Sequence, residues 1–296
     1  MLKAYSWLTF CVVVWGSNFV FGKMLVLYFS PTMLTMLRLL FIVLLLVGLF
    51  SFNKKRQSLK KSDLFPVVIL GVVGVFINQW SFFKGLETAD PTISALILAT
   101  TPIVTGVLAA VILKEKFTGR MLIGSIVAIM GIFFVVTKGT LSSIQVDRGL
   151  IWIVVTMLTF AIMIIMTRQL SNRMSPLAIT LYSNIVGLIV SIPFVFILDS
   201  PIRISTSLSD WMLLIGTAIV VHGFANLIWN KYIRYVDASK ASILSNLEPF
   251  VAMIMGFILL SKPITGAEIV GSFLIVGGVL VSTYQRKLKR GKLISS

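Results

Sequence analysis

Residues 237–260 read DASKASILSNLEPFVAMIMGFILL. The stretch is long and apolar enough to cross a bilayer as a helix. Near its middle stand Glu248 and Pro249. Glu248 alone among the ten acidic residues falls near the centre of an apolar segment. A carboxylate there is costly unless it is paired, protonated or wetted by a cavity. Pro249 cannot donate to the carbonyl of Ser245, and its ring disfavours helical geometry at Glu248. A titratable group and a broken helix ladder thus meet at one membrane depth. Irregular backbone at that depth is tolerated where it is buried in protein or lines a cavity.

The rest of the chain has the same character. Of its 296 residues, 57% are hydrophobic and 12% charged, and mean hydropathy is +1.01. A soluble protein would carry roughly a quarter charged residues. Ten stretches are long and apolar enough to span: 5–24, 32–51, 64–84, 91–113, 120–137, 150–168, 177–198, 211–230, 238–260 and 265–284. The expectation is an all-α integral membrane protein with ten transmembrane helices joined by short loops.

The formal net charge of +16 does not point to nucleic acid, because the basic residues cluster in short loops and in the tail. With the N-terminus inside, nineteen Lys and Arg fall on the inner side. Six fall outside: Lys23, Lys84, Lys138, Arg148, Arg203 and Lys262. Arg38 lies within the second span. This asymmetry predicts a multi-pass protein of the plasma or bacterial inner membrane with both termini cytoplasmic. The basic tail, 286–296, reads as an anchor to anionic lipid. Cys11 and His222 are the single cysteine and histidine, so neither a disulfide nor a zinc site is expected. No P-loop and no HExxH or Ser-His-Asp pattern occurs, which argues against ATP drive and against an enzyme. No cofactor is expected.

The sequence also repeats. Shifted by 147 positions, Lys84–Gly131 lies on Lys231–Gly278 without a gap, and Asp90, Pro102, Gly124 and Gly131 meet Asp237, Pro249, Gly271 and Gly278. Apolar bias alone does not align prolines and glycines. Two five-span units are expected, 1–138 and 149–285. Because five is odd, the two would enter the membrane from opposite sides, as inverted repeats.

Several motifs in order carry a resemblance to a known family. They are Trp15-Gly16-Ser17-Asn18-Phe19, Ser30-Pro31 with Leu37-Arg38, and Lys84-Gly85-Leu86-Glu87-Thr88-Ala89. Thr101-Pro102, Leu113-Lys114-Glu115-Lys116, Leu247-Glu248-Pro249-Phe250 and Gly271 with Gly277-Gly278 complete the set. Over essentially its whole length the chain resembles the EamA-type transporters of the drug/metabolite transporter superfamily. The resemblance implies movement of small metabolites such as amino acids by alternating access, without ATP. It departs from the family pattern at Ser261-Lys262, where Gly-Glu is common, while Glu115 remains in the first half.

The candidate translocation pathway follows from intramembrane polar groups. Glu248 could carry a coupling proton or contact a substrate amine. Ser245, on the same helix face, leaves room beside it. The alternative is a structural carboxylate tied to Arg38 or an Asn. Arg38 could take a substrate carboxylate, pair with Glu248, or snorkel to the interface. Asn18, Gln79, Asn226 and Thr101 are read as pathway candidates, against ordinary bonding between helices. Asn78, Asn184 and Asn230 are intramembrane amides of the same kind. His222 could shuttle protons or be simply hydrogen-bonded. Trp15, Trp80 and Trp229 could wall a pocket or pack in the interior. Pro102 and Pro249 mark helix breaks.

The function expected is a secondary transporter, most simply an exporter, of small metabolites. Alternatives are an exporter of drugs or lipid-like compounds and a membrane-embedded lipid enzyme. Expected partners are a small-molecule substrate and membrane lipids. A coupling proton and a homodimer are compatible with the sequence.

Overall fold

The computed structural model describes residues 2–52, 57–112, 118–137, 147–232 and 244–283, and within these every regular element is helical. The chain order is α1 (Leu2–Tyr28), α2 (Pro31–Ser51), α3 (Lys61–Leu86), α4 (Pro91–Ile112), α5 (Gly119–Val136), α6 (Arg148–Leu170) and α7 (Pro176–Leu198). Then come α8 (Leu208–Thr217, continued through Ala218–Ala225 and Asn226–Tyr232), α9 (Glu248–Leu260) and α10 (Gly266–Thr283). The first eight contain segments long and apolar enough to cross a membrane, and α9 and α10 are shorter apolar helices. The expected span 238–260 begins in residues outside the description, and so does the tail 286–296.

Helix is the form these residues must take in lipid, because it satisfies the backbone within one segment. The starts are marked by capping chemistry. Pro91 follows Asp90, whose carboxylate accepts from the backbone N–H groups of Thr92 and Ile93. Ser175 and Asp147 cap α7 and α6 in the same way. The start of α2 is capped from a distance. Asp199, just past α7, accepts from Met33 N at 2.8 Å, Thr32 N at 3.2 Å and Ser30 Oγ at 2.6 Å.

Two irregularities recur at matching places. α3 and α8 each contain eight residues of π-helix, Leu70–Ile77 and Ala218–Ala225. α4 and the run into α9 are each interrupted by a turn, at residues 99–100 and 246–247. In both, the helix resumes at the residue before a proline (Thr101 before Pro102, Glu248 before Pro249), so each proline sits in a first turn where its missing N–H costs nothing. The principal packing partners match as well. α1 packs on α8 and α9 as α6 packs on α3 and α4, and α3 packs on α7 as α8 packs on α2. α2 meets α7, and α5 meets α10.

The α5–α10 seam is built of small residues. A methyl added at Gly278 would lie 2.5 Å from the Gly124 carbonyl oxygen and 2.6 Å from the Ala128 nitrogen. Such close approach is how helices associate where no hydrophobic gain is available.

Candidate functional site

A cavity of about 620 Å³ lies among α1–α4 and α6–α9. Its lining reaches Thr167 and Thr180, beside the turn between α6 and α7. Toward the opposite end it stops at Phe19, Phe82 and Phe83, whose rings meet edge to face: Phe82 lies 5.4 Å from Phe19 and 5.2 Å from Phe83. Past these rings comes a layer of ion pairs. Glu87 binds Lys84 at 2.6 Å and Arg203 at 2.9 Å. Lys23 donates to the carbonyls of Glu87 and Ala89. Lys262 binds Asp90 at 2.8 Å and also Glu268. The cavity is therefore stoppered at one end and extends toward the other.

Arg38 enters the cavity from α2 with no surface exposed. Its Nη1 donates to Asn18 Oδ1 at 3.1 Å, and its guanidinium carbon stands 5.1 Å from the centre of the Phe83 ring. Nε and Nη2 have no partner. Full burial removes the snorkelling alternative.

Glu248 lies on the other side of the break, at the first residue of α9, and lines the same cavity. Among the described residues it forms no hydrogen bond and no ion pair, and Arg38 is not its partner. A positive and a negative side chain share one cavity without touching. Asn246, in the turn just before, is 5% exposed, and its Nδ2 has no partner. Gln79 Oε1 is buried and unpartnered as well.

Trp15, Ser245, His222, Thr101, Pro102, Trp229 and Pro249 also line the cavity. Trp15 donates to the Val221 carbonyl at 3.3 Å and sits 4.9 Å from Trp229, centre to centre. Thr101 Oγ1 donates to the Leu98 carbonyl across the α4 break at 2.6 Å. Trp80 is not part of the lining and packs edge to face on Trp152 at 4.8 Å. Asn226 belongs to α8, and its side chain lies outside the description, as does that of Asn230. Asn78 is engaged by α6, donating to the Thr156 carbonyl and Thr159 Oγ1. Asn184 donates to the Thr180 carbonyl of its own helix.

Two lining residues escape a reading by polarity and spacing alone. Phe83 looks like any core aromatic until Arg38 is seen over it. Asn246 carried one available signal, its place two residues before Glu248 at a break.

The EamA-like transporter family matches residues 2–137 and again residues 147–284. The uncharacterized transporter YyaM of Bacillus subtilis is 28% identical over 288 residues, 95% of this chain and 94% of its own. An uncharacterized transporter of Archaeoglobus fulgidus is 26% identical, over 96% of this chain and all of its own. The uncharacterized inner membrane transporter YicL of Salmonella typhimurium is 26% identical over 94% of each chain. A solved crystal structure shares the fold with a TM-score of 0.67 at 16% identity, over 93% of this chain and 95% of its own. With both halves matched and eight helices able to cross a membrane, this multi-pass membrane protein belongs to the EamA-like transporter family.

Proposed function

We propose that the protein is a secondary active exporter of small metabolites such as amino acids, working by alternating access. The observation that carries the reading is the pair Arg38 and Glu248, opposite charges that line one cavity and do not pair. Buried charges without partners are expensive, and in membrane proteins they mark substrate or ion pathways. A zwitterion would satisfy both at once.

The two halves supply the motion. Each contributes a π-helical segment and a proline-marked break, and the family match covers them in succession. Broken helices at a repeat interface are where secondary transporters hold their substrates. We read the halves as inverted repeats that rock against each other, with both termini cytoplasmic in the cell membrane. The stoppered end is then the outer one, and the protein as described faces inward. Glu248 is the group through which a proton gradient would drive export.

The test is overexpression against a panel of toxic amino-acid analogues and bulky organic cations, followed by transport in proteoliposomes. Selective resistance to the analogues, with efflux of the matching amino acid, is the expected result. Resistance confined to bulky cations would replace this reading with that of a drug exporter, which the apolar walls at Phe19, Phe82 and Met163 would suit.

A further inference from the structure

Arg38 has three nitrogens in its guanidinium, and the structure uses one. Nη1 is held by Asn18, and the guanidinium carbon stands over the Phe83 ring. The two groups left without partners, Nε and Nη2, are the pair along one edge of the guanidinium. Their N–H bonds run parallel, and their spacing matches the two oxygens of a carboxylate. A fully buried donor pair is rarely left unmade in a folded protein, because its desolvation goes uncompensated. Glu248, the carboxylate in the same cavity, does not fill it.

We infer that the Nε/Nη2 edge of Arg38 is a carboxylate subsite, that Asn18 and Phe83 position it, and that the substrate is a monocarboxylate with an apolar body. The inference rests on the reading of this cavity as the substrate site. Asn18 fixes Nη1 of this cavity-lining side chain and leaves the Nε/Nη2 edge for a ligand. Phe83 backs the fork and keeps it from swinging. A phosphate or phosphonate would fit the fork too, but its further oxygens would need more donors. Among the described residues, the fully buried lining atoms left without a partner besides the fork are one donor, Asn246 Nδ2, and one acceptor, Gln79 Oε1. In its ionised form Glu248 would repel a second negative charge. The apolar walls of the same cavity, Phe19, Phe82 and Leu98 among them, offer an apolar body its place.

Thermal unfolding of the purified full chain in detergent tests this with three matched probes. These are 3-phenylpropanoate, its primary amide, and benzylphosphonate. The carboxylate is expected to raise the unfolding temperature, with the amide and the phosphonate about tenfold weaker or worse. Arg38→Lys keeps a charge and loses the fork, so carboxylate affinity falls about tenfold and the amide is unaffected. Asn18→Ala narrows the preference of carboxylate over amide, whereas a purely structural Asn18 would lower the unfolding temperature and leave the preference intact. Should the variants fail to fold, the three probes on the unaltered chain still decide. No stabilisation by the carboxylate, equal binding of the amide or phosphonate, or an undiminished preference in Arg38→Lys overturns the inference. Carboxylate binding with no transport in proteoliposomes would overturn the transporter reading and leave the subsite standing. Transport with no carboxylate preference would do the reverse.

Discussion

Gly16 lies directly against Glu248: a methyl on its Cα would come within 2.7 Å of the Glu248 carbonyl oxygen and 2.6 Å of Val251 Cβ. The atoms met are backbone and branched carbon, so neither can rotate aside. α1 and α9 are thereby locked at the residue that carries the cavity's negative charge. Gly16→Ala should destabilise the protein by about 1–3 kcal/mol through overpacking. It should lower transport further than that loss explains, because the start of α9 must shift. Gly48 is the control, since a methyl there meets nothing within 4 Å. Gly48→Ala should leave transport unchanged and stability the same or slightly higher. Unfolding temperature and proteoliposome transport, measured on both variants, check the pair.

Glu248→Gln removes the negative charge and keeps the shape. If Glu248 carries the coupling proton, the variant loses gradient-driven transport but retains exchange of substrate for substrate. The measurement is the ratio of net efflux to counterflow in the same vesicles. Undiminished net efflux in the variant would remove Glu248 from coupling. Loss of both activities would assign it to substrate binding alone.

Hydropathy alone shows why the spans were legible, since a helix in lipid must be apolar along its length. Pro102 and Pro249 made the breaks legible, because each removes a backbone donor from an apolar span and each stands in the first turn after its break. Arg38 and Glu248 stood out as charges where charges are costly. Their surroundings were not legible. Asn18 and Arg38 come from different helices, and Phe83 from a third. Nothing in a single sequence states that these three converge. Trp80 differs from Trp15 in destination and not in type, and Asn78 lines the cavity while bonded to α6, so composition could not separate packing from lining. The π-helical segments of α3 and α8 have no residue signature such as a proline, and only their matching positions reveal them as one device used twice.

The departure at Ser261-Lys262 has a structural consequence. Ser261 ends α9 with φ 51° and ψ 29°, the left-handed conformation that glycine adopts without cost at helix C-termini. For a residue with a Cβ this conformation costs about 1–2 kcal/mol. Ser261→Gly should therefore raise stability by about 1 kcal/mol, offset in part by the greater freedom glycine brings to the unfolded chain. Unfolding temperature in detergent reads this directly, and a decrease would mean that the serine makes a compensating contact. Lys262 should not be exchanged for the family's glutamate at the same time. It holds Asp90 and Glu268 together, and Lys262→Glu would set three carboxylates side by side.

The ion pairs at the stoppered end bear on how the protein sits in the membrane. Six cations are assigned to that side, and six acids are assigned with them: Glu87, Asp90, Asp147, Asp199, Asp210 and Glu268. Several are joined in the structure, Arg203 and Lys84 to Glu87 and Lys262 to Asp90. Arg38 and Glu248 cancel within the membrane. The sequence assigns the other nineteen Lys and Arg to the opposite side, where anionic headgroups would favour each by about 1 kcal/mol. Nineteen Lys and Arg against six is the asymmetry that would hold the richer side in the cytoplasm. In a Cys11→Ala background, Thr206→Cys, on the exposed loop before α8, should react with a membrane-impermeant maleimide in intact cells. Ser295→Cys should react only after permeabilisation. The reverse pattern would invert the chain in the membrane, making the stoppered end cytoplasmic and the described state outward-facing.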